Sequence, residues 1–368
     1  MSATTSPTPS AATGVWLVAE REIGAKLRSK AFVIATVILL VMALAAVVWG
    51  GFSASDESFG APSVAVSADA ESMVPEIPGV TPEPVADRAA AEELVRSGEV
   101  DAAIVADPSS PTGFTVLAES DVSSQLLVYL SEAPKVELLD PDGSTGFLGY
   151  LAAIGFGVVF LFAASTFGGT IAQSVVEEKQ TRVVEVLISA IPTRVLLAGK
   201  VIGNTILAMG QILLLAAIAV VGLTVTGQTE LLQGLGTPIV WFAVFFLFGF
   251  ILLASLFAAA AAMVSRQEDI GSTTMPLTML VVAPYILVIV FWNNPLVLGI
   301  MSYVPFSAPV AMPLRLFLGD AQWWEAVLSL GILVATCVAA ILVGARIYEN
   351  SLLRMGARVK FMEALARK

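Results

Sequence analysis

Six stretches of this 368-residue chain are long, apolar and nearly free of charge. They lie near 31–52, 147–175, 198–225, 238–264, 272–292 and 326–346. A helix needs roughly 20 such residues to cross the ~30 Å hydrocarbon core of a bilayer, where no water satisfies the backbone. Transmembrane β-strands are about half that length and alternate in polarity, whereas these runs are continuous. The fold class that follows is an α-helical integral membrane protein with six transmembrane helices. Charged residues make up 13% of the chain, about half the usual share in a soluble domain.

The net charge of −11 is unevenly placed. Residues 53–146 carry eighteen acids against Arg88, Arg96 and Lys135, a local balance of −15 that leaves +4 for the remainder. An inside N-terminus puts Arg21, Lys26, Arg28, Lys30, Lys179, Arg182, Arg194, Lys200, Arg266 and the six bases from Arg346 to Lys368 in the cytoplasm. That is fifteen of nineteen, as the positive-inside tendency favours. The expectation is a multi-pass protein of the cell membrane with both termini cytoplasmic. A signal peptide ending near "SAS" fits poorly, because the first run is too long and begins some thirty residues in.

This topology divides the chain. Residues 1–30 form a cytoplasmic segment, Ser, Thr, Pro and Ala-rich to residue 13 and disordered there. It continues as "VWLVAEREIGAKLRSKAF", an amphipathic helix in the inner interface. The first transmembrane helix is 31–52. Residues 53–146 form a small extracytoplasmic α/β insert between the first and second spans. Its strands are "SVAVSAD", "DAAIVAD" and "GFTVLAES". Its helices are "ADRAAAEELVRSGEV", ending at Gly98, and "DVSSQLLVYLSEA", capped by Asp121, with "MVPEIPGVTPEP" as a Pro-rich loop. Five more helices fill 147–346, and 347–368 is a basic cytoplasmic tail. Pro276 and Pro284 should kink the fifth run. Segment 293–325 is apolar but interrupted by Pro295, Pro305, Pro309 and Pro313, so it reads as re-entrant or interfacial on the outer side, with Trp323 and Trp324 at head-group level.

Several chemistries are excluded. With no histidine there is no HExxH metal site or histidine-based triad. The single cysteine, Cys337, forms neither an intrachain disulfide nor a thiolate cluster, and reads as a packing residue. No phosphate-binding GxxxxGK[ST] occurs; "LLAGKVIG" has Gly199-Lys200 but neither the upstream glycine nor the hydroxyl residue. The centres of the runs hold almost no ionisable groups, which disfavours proton-coupled transport. No catalytic, cofactor-binding or metal site is expected in the chain, and nothing points to nucleic acid.

Between the second and third spans, "SVVEEKQTRVVEVLISAIPTRVLLAGK", Ser174–Lys200, packs seven ionisable residues into a chain otherwise poor in them. At 100° per residue, Val176, Val183, Val184, Leu187, Ile188 and Ile191 share one arc, while Glu178, Thr181, Arg182 and Glu185 share the other. Glu178 and Arg182 stand at i,i+4, and Pro192 ends the helix. The segment 176–191 therefore reads as one amphipathic helix at the cytoplasmic surface, either a solvated cap or a docking element. "RQED", Arg266–Asp269, reads as a polar turn or a second contact.

"VVEEKQTRVVEVLISAIPTRVLLAGKVIG" resembles the cytoplasmic loop of type-2 ABC exporter permeases, in the sodium-exporter NatB-like branch. "LRSKAF", "VPFSAPVAMPLRLFLGDAQWWE" and "ARIYENSLLRMGARVKFMEALARK" extend the resemblance. It implies a six-span permease subunit that pairs with a second permease copy and exports substrate using ATP and Mg bound by a separate cytoplasmic ATPase. It makes 176–191 the coupling helix, with Glu177, Glu178, Lys179, Arg182 and Glu185 meeting the ATPase and Arg266, Glu268 and Asp269 as weaker contacts. Sodium ions, drugs and lipids are all compatible substrates. The rival readings are a membrane sensor whose insert binds a ligand, and an ion-coupled secondary transporter.

Overall fold

The computed structural model describes residues 10–55, 63–70, 83–110, 113–118, 146–227, 229–352 and 361–365. They divide into two compact units, Met1–Val47 with Gly143–Val225 and Thr229–Lys368, and Val48–Asp142 with Thr226–Gln228.

The first unit begins with α1 (Ala11–Arg28), where Ser10 Oγ accepts the Thr13 N–H. The helix thus starts inside the stretch expected to be disordered, because Ser10 caps it. Extended backbone at Ser29 makes an elbow, and α2 (Lys30–Ser55) follows.

The second unit holds a four-stranded sheet in the order β2-β1-β3-β4. Strands β1 (Val64–Ser67), β2 (Glu83–Val85) and β3 (Ala102–Ala106) run parallel, and β4 (Phe114–Leu117) is antiparallel to β3. Helix α3 (Arg88–Ser97) starts at Asp87, whose side chain accepts the Ala90 N–H, and stops at Gly98 with a φ of 72°. Ala91 and Val95 of α3 pack with Ala65, Ala103 and Val105 of the sheet. Strand β2 occupies part of the stretch read as a Pro-rich loop; the helix expected near Asp121 lies outside the described residues.

The first unit resumes with α4 (Gly146–Gln180), α5 (Val183–Ala190), α6 (Thr193–Val225) and α7 (Thr229–Ala262). A 3₁₀ turn (Gln267–Asp269) leads into α8 (Ile270–Val290), one helix across Pro276 and Pro284. Then come α9 (Pro295–Met301), α10 (Ala308–Phe317), α11 (Trp323–Ser351) and α12 (Phe361–Leu365). Among the described residues, six helices are long and apolar enough to span: Lys30–Trp49, Gly149–Gln180, Thr193–Val225, Gly234–Ala262, Gln267–Val290 and Trp323–Ser351. The interrupted segment forms α9 and α10, too short to cross, and α10 is buried from Ala308 to Arg315.

The core between α4 and α7 is a phenylalanine ladder. Phe156, Phe160 and Phe167 meet Phe242, Phe246 and Phe250, with centroids 4.9 to 5.8 Å apart. Phe32 of α2 closes one end, edge-on to Phe167. Each pair adds about 0.5–1.5 kcal/mol beyond its buried area.

Helix α1 lies on α6 by a different device. A Cβ at Gly199 would stand 2.4 Å from Val18 Cβ, and one at Gly203 would stand 2.9 Å from the Ala19 carbonyl oxygen. Two glycines four apart on one helix face thus remove the bulk between the backbones, as small residues do in membranes. Val18, Ala19 and Glu22 turn inward, while Trp16, Leu17 and Leu27 remain exposed, as an interfacial helix requires.

Gly203→Ala should therefore lower the unfolding midpoint in detergent, since overpacking against backbone costs about 1–3 kcal/mol. Gly210 on the same helix faces open space, and Gly210→Ala should be neutral or stabilising by up to about 1 kcal/mol. Equal effects of the two, followed by tryptophan fluorescence, would show that α1 does not depend on this close approach.

Candidate functional site

The charged stretch between the second and third spans is two helices. At Arg182 the backbone turns left-handed, with a φ of 58°, a conformation that costs a residue bearing Cβ roughly 1–2 kcal/mol. Helix α4 ends at Gln180 and α5 starts at Val183 on a new axis. The i,i+4 contact expected between Glu178 and Arg182 does not form, and the arc read as continuous is broken. Val183, assigned to the apolar side, is 41% exposed, and Val186 is 70% exposed; Val184 is buried as expected.

Glu178 turns inward. It pairs with Arg21 of α1 and with Lys200 of α6. Lys200 is completely buried, 2.8 Å from Glu22 Oε1 and 3.0 Å from Glu178 Oε2, and it donates to Ser174 Oγ at 2.7 Å. The contact to Glu178 Oε2 is Coulombic rather than an aligned hydrogen bond. Three helices, α1, α4 and α6, so share two acids and two bases with balanced charge. Lys26, one turn beyond Glu22, is half-buried. Desolvation holds its ammonium below the ordinary value; Glu22 opposes that shift and Lys200 reinforces it.

Lys179 is also fully buried, and its partners are carbonyls. Its Nζ donates to Ala262 O at 2.8 Å and to Ser351 O at 3.0 Å. These are the last residues of α7 and α11, where helix carbonyls lack intrahelical partners and the dipoles favour a cation. One ammonium thus gathers the ends of two spans onto a third.

The Glu-Glu-Lys element therefore sorts its side chains. Glu178 and Lys179 hold the bundle together and do not lie on a water-facing arc. Glu177, Gln180, Thr181, Arg182 and Glu185 are exposed at the same end. Arg266 and Glu268 pair at 3.1 Å on the exposed turn between α7 and α8, beside Asp269. Gly199-Lys200, which lacks the context of a phosphate loop, gives α1 its seat and supplies the buried ammonium.

A second polar cluster, unanticipated from sequence, lies in the segment before the last span. Arg315 donates to Ser302 Oγ and Asp320 O, both at 2.9 Å, and pairs with Glu325 at 3.2 Å. Tyr303 donates to Glu325 at 3.0 Å, and its phenol is held above the ordinary value by burial first and then by that carboxylate. The available signal was Arg315 itself, the one base outside both the insert and the basic end of the bundle.

A family model described as ABC-2 family transporter protein matches residues 30–346. The chain belongs to the ABC-2 transporter family. Members are membrane components of ABC transporters, and with its long apolar helices this ABC-2 chain is a multi-pass membrane protein. The match is to the family as a whole and does not single out a sodium-exporter branch. The chain is 30% identical over 210 residues to the uncharacterized protein YhaP of Bacillus subtilis (strain 168), covering 54% of this chain and 50% of YhaP. It is 26% identical over 209 residues to the uncharacterized protein MJ1024 of Methanocaldococcus jannaschii, covering 56% and 51%. It thus spans about half the length of these relatives. No solved structure matches it.

The buried cluster makes a sharp stability prediction. Lys200→Met strands Glu22 and Glu178 without their ammonium and should cost about 3–5 kcal/mol. Adding Glu22→Gln and Glu178→Gln to Lys200→Met removes the unpaired charges and should recover a large part of that loss. Urea unfolding in micelles measures both, and a triple variant no more stable than the single one would sink the ion-cluster account.

Proposed function

We propose that this ABC-2 protein is the permease subunit of an ATP-driven exporter, coupled through α5 to a separate cytoplasmic ATPase that binds ATP and Mg. The observation that carries this is the division of labour at the basic end. Glu178, Lys179 and Lys200 tie α1, α4, α6, α7 and α11 together, and α5 stands beyond that junction with Val183, Val186, Arg182 and Glu185 exposed. An exposed apolar pair flanked by both signs of charge is what a docking partner covers. Push or pull on α5 acts through Arg182 on the tied ends of the spans. Glu177 and the Arg266–Asp269 turn flank this surface as weaker contacts. The charge asymmetry puts the basic end in the cytoplasm and the sheet-bearing insert outside. The transporting form is a dimer of two permease copies, and sodium ions, drugs and lipids are its candidate substrates.

Two measurements test this. On a Cys337→Ser background, a cysteine at Ser109 should react with an impermeant thiol reagent in intact cells, and one at exposed Ser189 only after lysis. Reaction of Ser189 in intact cells would reverse the topology. Separately, Arg182→Glu with Glu185→Lys alters exposed groups alone, so the protein should insert and melt normally. Purified from its host, this variant should lose a Walker A-bearing ATPase that copurifies with wild type, because charges covered at an interface are worth roughly 2–5 kcal/mol. Thr181→Ala should retain it. Retention by the charge-reversed variant would reduce α5 to a solvated cap.

A further inference from the structure

A cavity of about 1050 Å³ opens between α6, α7 and α11. We propose that it binds one anionic phospholipid of the leaflet at the basic end, acyl chain inward and phosphate at Arg346. This inference uses the bilayer embedding and not the ATPase coupling, so the two stand or fall separately.

The walls favour hydrocarbon. Leu197, Val201, Leu247 and Ile251 line the depth. The two hydroxyls there are engaged with their own helices, Thr205 donating to Val201 O and Ser255 to Ile251 O, at 2.7 and 2.8 Å. Neither demands a polar ligand. Ile202, Ile206, Ile341 and Leu342 line the cavity but are themselves 38–67% exposed, so it opens sideways through an apolar lip. A soluble ligand would more naturally enter past polar residues; a lipid enters from the side.

The depth also fits. From Arg194 to Ile206 is twelve helical residues, about 18 Å at ~1.5 Å each, close to the ~15 Å of one leaflet's hydrocarbon. The charged lining residues gather at one end only, Arg194, Arg346 and Glu349, with Asn350 beside them. Arg194 grips Glu349 with both Nε and Nη2, at 2.6 and 3.2 Å. The acid is thereby neutralised. Arg346 is exposed and makes no ion pair among the described residues, so the mouth carries one uncompensated guanidinium at head-group depth. A planar donor fork suits a phosphate, and the charge selects an anionic head group over a zwitterionic one.

The test uses the purified, delipidated full chain in detergent, with phosphatidylglycerol or phosphatidylcholine added and bound lipid counted by native mass spectrometry. One phosphatidylglycerol per chain should survive gentle activation, and phosphatidylcholine should be retained at least about fivefold less, the effect of one basic residue near a lipid surface. Arg346→Ala should abolish that preference. Ala345→Phe, at the cavity mouth, should lower retention of both lipids. A phosphatidylglycerol with a photoreactive acyl chain should label peptides containing Val201 and Ile251. Equal retention of the two lipids by wild type, or an unchanged preference in Arg346→Ala, would overturn the head-group assignment. Labelling confined to α2, or unlabelled α6 and α7, would overturn the site itself, and would also be the outcome if a second protein copy fills the cavity.

Discussion

Lys200, without solvent exposure and held between Glu22 and Glu178, is the contact on which the basic end of this protein is organised. An ammonium cannot remain charged in such a place unless acids meet it, and acids cannot be buried there unless a base meets them. The three groups come from three helices, so none of those helices can shift alone. A slip of α1 by one turn would carry Glu22 about 5.4 Å away. Buried ion clusters gain little over apolar packing, but they penalise every arrangement that leaves one member unpaired. Here that penalty fixes the register of α1 against α6, and Gly199 and Gly203 let the backbones come close enough for the pairing.

The neighbouring lysine solves a different problem by similar means. The ends of α7 and α11 present carbonyls that intrahelical bonding cannot satisfy. Water would normally do so, but Lys179 is fully buried, and its ammonium takes that place. Consecutive residues at the end of α4 therefore face apart: Glu178 binds the start of the chain, and Lys179 binds the ends of two later spans. The turn at Arg182 sits immediately beyond both, so α5 inherits a rigid base.

The six spans were legible in the sequence because lipid imposes a length and excludes charge, and both can be counted along the chain. The sheet strands β1, β3 and β4 were legible as short apolar stretches, and helix α3 from its run of helix formers stopped at Gly98. The break at Arg182 was not, since a 100° period runs through a turn that only positive φ reveals. Nor was the fate of Glu178. The opposite charge at its i,i+4 position was Arg182, but its partners are Arg21 and Lys200, brought there by packing of α1 and α6 that periodicity does not encode. The Arg315–Glu325 cluster was not read from the sequence: Arg315 is isolated among the bases, and its ten-residue reach to Glu325 depends on how α10 folds back against the start of α11. The comparisons place the chain in the ABC-2 family and leave the roles of individual residues to these physical arguments.

The Lys179 contact has a consequence for biosynthesis. Ribosomes deliver the chain from its N-terminus, and the carbonyl of Ser351 arrives 172 residues after the ammonium that it accepts from. Until the last span is threaded, Lys179 has at most one of its two buried partners and must stay near water at the membrane surface. The bundle therefore cannot close at its basic end in step with synthesis. A chain stalled before α11 keeps an exposed positive charge beside an open seam, which is the kind of feature by which quality-control proteases recognise an unfinished membrane protein.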